Sequence, residues 1–393
     1  MARNCRRCVI YFGIYSKGKA FPRSTNIIGG LRALGIEVFE AHAAIDGSFR
    51  RRADVARSLI AAAGFALQLL WSMVELTWKF FRLPPADAVI VGHPGYCHIH
   101  LARLLVRLSR QQPRLVYDSF IPLFDTVVND RGLIRPSNRL ARMLHAFEAA
   151  CLRCADVCLV DTEAQRRYIA QEFALPPEKL YCVRVGPTIR PLFALPATTP
   201  AAKTFRVIFV GTFIPLQGID VIIAAARRLQ DQRSISFYIV GSGQLEEPIR
   251  RLAARCGADN VEFTGWVETD RLGALLRTCH LALGVFGTTA KAARVIPSKV
   301  YDVCAAGMPF ISADTPAIRE IFTHLIDAYL VPAGEPAALA EAILHLREDP
   351  DLRRRLAAGA FEIGRTHFSA EWIGRQALDA VRRPAAGRTA PPA

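Results

Sequence analysis

The 393-residue chain is poor in acidic side chains. Asp and Glu number 35 against 50 Lys and Arg, a formal charge of +15, so the surface field favours anionic partners such as nucleic acid, anionic lipid headgroups or phosphorylated metabolites. The features that would select nucleic acid are missing: there is no zinc-finger spacing, no RNP-like aromatic motif and no basic stripe on a recognition helix. The ten cysteines lack companion histidines at ligand spacing, which argues against a structural zinc site, including one built on Cys5 and Cys8. In "AACLRCADVCLV", Cys151, Cys154 and Cys158 recur at i, i+3 and i+7 in an apolar run, as small core residues do on a buried helix face. Cys97, Cys182, Cys256, Cys279 and Cys304 are likewise embedded among apolar residues. The start "MARNCRRCVIYFGIY" lacks a small-residue cleavage pattern. Together with unpaired cysteines, that predicts a chain kept in a reducing cytoplasm.

A hydrophobic content of 51% with 22% charged residues is enough for ordinary globular cores, and the length suggests two domains. In the first half, strands at "CVIYFGIY", "IEVFEAH", "DAVIVG", "RLVYDS", "DVCLVD" and "KLYCVRVG" alternate with helical stretches. Such alternation implies a parallel, doubly wound α/β sheet. The alternation restarts at "RVIFVG" and continues through "SFYIVG", "VEFTGW", "LALGVF", "PFISA" and "AYLVP", with helices expected at "SKVYDVCAAG", "TPAIREIF" and "EPAALAEAILHLRED". Between the halves the Pro/Ala/Thr-rich stretch reads as a linker. The expected division is an N-terminal domain at 1–188, a linker at 189–203, a C-terminal domain at 204–370, a return helix at 371–383 carrying Trp372 as a packing anchor, and a mobile tail at 384–393.

Ser58–Val74, "SLIAAAGFALQLLWSMV", is a charge-free run of 17 residues, at the bottom of the transmembrane range. Arg50, Arg51, Arg52 and Arg57 precede it, and Trp78, Lys79, Phe80, Phe81 and Arg82 follow. A true span would put two strands of one sheet on opposite sides of a bilayer. That argues against crossing, and two readings stand ahead of a span: a helix buried on the N-terminal sheet, and a helix docked on an anionic membrane surface through residues 50–82.

Three segments are candidates for chemistry. In "VIFVGTFIPLQGIDVIIAAARRL" a strand ends at Gly211, and Gly218 leads into a helix whose amides and dipole can hold phosphate; equally, the glycines can serve only a tight turn. Gly241 and Gly243 form a G-x-G that lacks the third glycine of the dinucleotide fingerprint and reads as structural. The third segment, 281–314, carries a Gly287-Thr288-Thr289 loop followed by Lys291, Arg294 and Lys299. Ser298 is placed to cap the next helix, and Asp302 on that helix can accept hydrogen bonds from a ribose diol. The loop amides and cations would neutralise a diphosphate.

Taken in order, "VGTFIPLQGIDVIIAAA", "YIVGSGQLEEPIRRLA", "VEFTGWVETDRLGALLRTC" and "IPSKVYDVCAAGMPFISAD" resemble the donor domain of glycosyltransferase family 4. "FPRSTNIIGGLRALGIEVFE" and "VYDSFIPLFDT" match the family's N-terminal half more loosely, and the resemblance covers most of residues 9–375. It implies a GT-B fold of two Rossmann-like domains facing across a cleft. The implied activity is retaining transfer of a sugar from a UDP- or GDP-sugar to a glycan or lipid-linked acceptor, in cell-surface polysaccharide or glycolipid synthesis.

The chain departs from the family at two places. Thr212 and Gln217 stand where many members carry a phosphate-binding Arg and Lys, and the family's paired glutamates are replaced by Arg294 and Asp302. The phosphate charge is therefore expected to be met by Lys291, Arg294 and Lys299. Leaving-group stabilisation in this family dominates over a dedicated base, so few catalytic groups are expected. Those singled out are Asp118, with Asp125 as alternative, His93 in preference to His98 and His100, and Lys299. Gly18 with Lys17 is expected near the donor phosphates. Asp349 and Asp351 belong to a helix start, and neither a metal nor a cofactor beyond the donor is expected. A nucleotide-sugar epimerase of the same fold and a non-catalytic nucleotide-sugar-binding module are the competing readings.

Overall fold

Strands β1 (Cys8–Gly13), β3 (Ala88–Val91), β4 (Arg114–Asp118) and β5 (Val157–Val160) are runs of branched aliphatic and aromatic residues buried along nearly their whole length. A parallel sheet with helices on both faces requires such runs. With β2 (Glu37–His42) and β6 (Leu180–Cys182) they form a six-stranded sheet in the order β2-β1-β3-β4-β5-β6, every pair parallel. The computed structural model describes residues 8–15, 17, 22–44, 59–188 and 204–383. Gly18, the arginines at 50–57, and the stretches expected to be linker and tail lie outside the described residues.

A second parallel sheet contains β7 (Phe205–Val210), β8 (Ile235–Val240), β9 (Val261–Gly265), β10 (Leu281–Leu283), β11 (Phe310–Ala313) and β12 (Tyr329–Val331). Its order is β12-β11-β10-β7-β8-β9. The chain runs outward from β7 to β9, then returns to β10 on the other side. The carboxyl ends of β7 and β10 thus open a crevice at the point where strand order reverses.

Helices α1 (Pro22–Ala33), α2 (Leu59–Arg82), α3 (Ile99–Leu108), α4 (Arg139–Cys154) and α5 (Glu163–Glu172) cover the first sheet. The second carries α6 (Ile219–Arg228), α7 (Glu246–Cys256), α8 (Thr269–Arg277), α9 (Ser298–Ala305), α10 (Pro336–Glu348) and α11 (Pro350–His367). The return helix α12 (Ala370–Arg382) crosses to the first domain and packs on α1. Its Ile373, Ala377 and Leu378 share a core with Ile27, Ile28 and Leu31. The two backbones touch at Gly30 and Gly374, where a Cβ on Gly30 would stand 2.1 Å from the Ala370 carbonyl oxygen. The anchor of α12 is therefore Ile373. Trp372, expected in that role, is half-buried against the His367 ring.

One other expectation changes. "TPAIREIF" is a single 3-10 turn at Ile318–Glu320, because the segment is spent on bridging the domains. Its Glu320 carboxylate accepts the Glu163 and Ala164 amides at 2.9 and 2.7 Å and pairs with Arg184 at 2.8 Å, so an acid from one domain caps a helix of the other. Between β4 and α4 the chain makes a π-helical turn, Asp125–Asp130, that no sequence period announces. Helix α2 is buried on one side only, through Ser72, Leu76 and Phe80, with Ser72 Oγ sharing a 2.9 Å hydrogen bond with His98 Nε2. No helix among the described residues is long and apolar enough to cross a membrane. The nine described cysteines are free, and burial first of all pushes the Cys151 and Cys158 thiols up to about 12.

Candidate functional site

The crevice of the second sheet faces the β4–α4 connection of the first domain, and a cavity of about 330 Å³ lies between them. From the β7–α6 loop come Gly211, Thr212 and Gln217; from the start of α9 come Ser298, Lys299 and Asp302. The opposite wall is Phe120, Thr126, Asp130 and Arg131, with Asp161 and Thr188 beside them.

Lys299 is the most unusual group in this wall. Its Nζ donates to the Gln217 side-chain oxygen and, at 3.5 Å, to the Gly284 carbonyl, and lies 3.6 Å above the Phe209 ring centroid. No carboxylate is among these partners, and burial holds its pKa well below the ordinary lysine value. The Gly211 backbone runs close beside it: a Cβ there would stand 2.9 Å from Lys299 Nζ. The expected side-chain cap at Ser298 is absent. Helix α9 begins at Ser298 after Pro297, no side chain caps it, and its first amides are directed to the cavity end of the helix.

Lys291 reaches across the cleft, its Nζ 2.5 Å from Thr126 Oγ1, and burial lowers its pKa as well. Arg294 does not line the cavity. Its guanidinium pairs with buried Asp125 at 2.7 Å and covers the Tyr168 ring at 3.8 Å, while its carbonyl accepts from Thr162. It is an interdomain clamp, and the same contact removes Asp125 from the cleft. Asp302 lines the cavity with Oδ1 accepting the Thr188 amide at 2.6 Å. Gly287 and Thr288 do not line the cavity. A Cβ on Gly218, which has φ +64°, would lie 2.3 Å from the Gly287 nitrogen, and the Thr288 methyl packs on Gly334.

The first domain contributes differently from expectation. Asp118 ends β4 fully buried, held by Arg23 Nε at 3.0 Å and Nη2 at 2.7 Å, and fastens α1 to the sheet. His93 lies one side chain behind the wall, edge-on to Phe120 with centroids 5.8 Å apart. His98 is in the core, its pKa lowered to about 4 by burial, and His100 is exposed near Cys151 on the outer side. Lys17 pairs with Glu40 at 2.8 Å.

Several site groups gave no sequence signal. Arg131 lines the cavity with an Nε that finds no partner among the described residues. Neighbouring Asp130 has its carboxyl pushed up by burial, with Lys291 opposing. Asp161 is raised to about 6 by burial against the pull of Arg23 and Arg184, and Trp266, 62% exposed, stands at the rim. The polar cluster Asp125, Asn129, Asp130 and Arg131 in "FDTVVNDR" was the one available hint. Gly241 also lines the cavity, although its tight packing is structural: a Cβ there would lie 1.9 Å from the Gly211 carbonyl oxygen.

Residues 196–362 match the family model described as glycosyl transferases group 1. A lipopolysaccharide core biosynthesis glycosyltransferase, LpsD of Rhizobium meliloti, is 32% identical over 48% of this chain and 52% of its own length. The chain spans about half the length of the curated relatives it matches. Among solved structures, HepE of Anabaena in complex with UDP-glucose superimposes with a TM-score of 0.68 at 16% identity, over 96% of this chain and 99% of that one. Sucrose-phosphate synthase of Thermosynechococcus elongatus gives 0.67 at 17%, over 96% and 98%. By these matches the fold is GT-B, and residues 196–362 are similar to the group 1 glycosyl transferases.

Proposed function

We propose that the chain is a retaining glycosyltransferase that takes a sugar from a UDP- or GDP-sugar held in the interdomain cavity. Its acceptor would be a glycan or lipid-linked saccharide, in cell-surface polysaccharide or glycolipid synthesis on the cytoplasmic side of a membrane. The observation that carries this reading is Lys299: a buried cation without a carboxylate partner, at the uncapped start of α9, in a cavity between two Rossmann-like domains. A diphosphate is the ligand that such a cation and helix start suit.

In this reading Lys299 and the first amides of α9 stabilise the departing diphosphate, with Lys291 and Arg131 adding charge from the two walls. Asp302 receives the ribose hydroxyls, and the exposed Trp266 indole offers a face to the base. Thr212 and Gln217 fit this arrangement, because Gln217 accepts the Lys299 hydrogen bond where a second lysine would repel it. A departing phosphate oxygen removes the acceptor proton, so Asp118 and His93 serve by supporting the wall. The reaction needs no metal.

The test is a thermal-shift panel of UDP, GDP, ADP and their sugar conjugates, with and without EDTA. A ligand at 100 times its Kd stabilises by about 2.7 kcal/mol. Selective stabilisation by one nucleotide, insensitive to EDTA and lost in Asp302→Ala, supports the reading. No shift with any of them overturns it.

A further inference from the structure

Helix α2 carries a second apolar face that the fold leaves uncovered. At about 100° per residue, Leu67, Leu70, Trp71, Val74, Trp78 and Phe81 fall in one stripe roughly 100° wide. That stripe lies opposite the buried Ser72, Leu76 and Phe80. Trp71 is 70% exposed and Phe81 58%. A contiguous stripe of this size on a folded domain marks an interaction surface.

The surface continues over the neighbouring helices. Leu76 and Phe80 of α2, Ala102 and Leu105 of α3, and Ala149 and Leu152 of α4 share one core on the same side of the sheet. His98 ties α3 to α2, and His100 of α3 meets Phe147 of α4 with ring centroids 6.5 Å apart. On the outside of this layer Leu104, Leu108, Leu140 and Met143 are each more than half exposed.

Its charge is one-sided. The three helices carry seven cations (Lys79, Arg82, Arg103, Arg107, Arg139, Arg142 and Arg153) and two carboxylates. Of the carboxylates, Glu75 is paired with Lys79 at 2.5 Å and Glu148 is buried; Arg103 is taken by Asp156 at 2.7 Å, which leaves Arg107, Arg139, Arg142 and Arg153 as the exposed arginines of α3 and α4. Arg82 lies 3.9 Å over the Trp78 ring, at the end of the stripe. Between α3 and α4 a depression of about 490 Å³ is lined by His100, Arg103, Arg107 and Arg153. Apolar residues and indoles ringed by cations suit the interface of an anionic bilayer. A second copy of the chain would set these arginines against their own kind.

We propose that the outer face of α2, α3 and α4 docks on an anionic lipid bilayer. The stripe of α2 inserts at the boundary between headgroups and acyl chains, and the exposed Arg107 and Arg142 take lipid phosphates. The proposal gives a structure to the membrane-side part of the reading above. It can fail or hold apart from the transferase part, because binding is measured without donor or acceptor.

The experiment is co-sedimentation of the full chain with phosphatidylcholine vesicles, with and without phosphatidylglycerol, at low and high salt. Wild type should bind the anionic vesicles and weaken as salt rises. Leu70→Gln/Trp71→Ser/Trp78→Ser should lower partitioning by about tenfold or more. Arg107→Gln/Arg142→Gln should lose the preference for phosphatidylglycerol. All five side chains are exposed, so both variants should keep the wild-type melting temperature. Brominated acyl chains should quench the indole fluorescence in wild type and not in Trp71→Phe/Trp78→Phe. The proposal is overturned if wild type stays in the supernatant with anionic vesicles at low salt, or if both multiple variants bind as wild type does. It is also overturned if the stripe variant only converts a dimer to a monomer in sedimentation equilibrium.

Discussion

Replacing Lys299 by Met separates what the residue does for a ligand from what it does for the fold. The two side chains have similar length, so the Phe209 ring and the Gly211 backbone keep a neighbour of similar bulk. Two unit charges about 4 Å apart interact by about 4 kcal/mol at an effective dielectric of 20. Allowing for the hydration a bound diphosphate gives up, the loss should be about 2–4 kcal/mol, or roughly 30- to 1,000-fold in donor Kd. Stability should move the other way or not at all. The native lysine is desolvated with no carboxylate among its partners, and removing such a charge is neutral to stabilising by about 1–2 kcal/mol, less the cost of stranding Gln217. A bound diphosphate would also raise the depressed lysine pKa, so binding takes up a proton wherever the free protein holds the amine neutral. Donor Kd should then weaken as pH rises above the free-state pKa, and that slope should vanish in Lys299→Met. The assay is isothermal titration with the selected nucleotide across pH, beside urea unfolding of the free variants. An unchanged Kd, or a large loss of stability with intact binding, would refute the assignment.

Arg294→Leu should destabilise the protein by about 3 kcal/mol by leaving the buried Asp125 carboxylate without its guanidinium, held among the described residues only by the Asn129 amide at 3.1 Å. Asp125→Asn/Arg294→Leu should recover much of that in urea unfolding, whereas additive losses would show that the pair is not coupled. Glu148 accepts the Leu123 and Phe124 amides at 2.8 and 2.7 Å, and burial nonetheless raises its pKa to about 7. Above about pH 4.5 the unfolded chain releases this proton before the folded one does, so ionising Glu148 costs stability as pH rises from about 4.5 to 7. Melting temperatures at pH 5 and 7 should converge in Glu148→Gln relative to wild type; an unchanged difference would contradict this. Gly374→Ala puts a Cβ 2.3 Å from the Gly30 carbonyl carbon. It should cost several kcal/mol and expose α12 to limited proteolysis, while Ala at exposed Glu371 should do neither.

The sheets were legible because buried parallel strands write themselves as short apolar runs, as "AVIV" at 88–91 does. Helix α2 was not, since a charge-free stretch has no polar face to fix its phase, and the sides that Leu76 and Trp71 take are decided by what packs on the sheet. Asp118 looked catalytic because it ends a strand at the cleft side. What removes it is Arg23, 95 residues earlier, whose approach no local pattern reveals. Arg294 and Arg131 are both loop arginines near acids, and only the docking of one domain on the other sends the first to Asp125 and leaves the second at the cavity. Lys299 was recognisable from its place at a helix start after a glycine-rich loop. Its lack of a carboxylate partner was not.

The central claim is tested most directly by supplying the purified chain with labelled UDP- and GDP-sugars and a lipid and glycan extract as acceptor. Nucleoside diphosphate and labelled acceptor should appear in equal amounts with one donor, persist in EDTA, and fall at least tenfold in Lys299→Met. Conversion of the donor to an isomer without acceptor, or nucleotide binding with no turnover, would contradict the account.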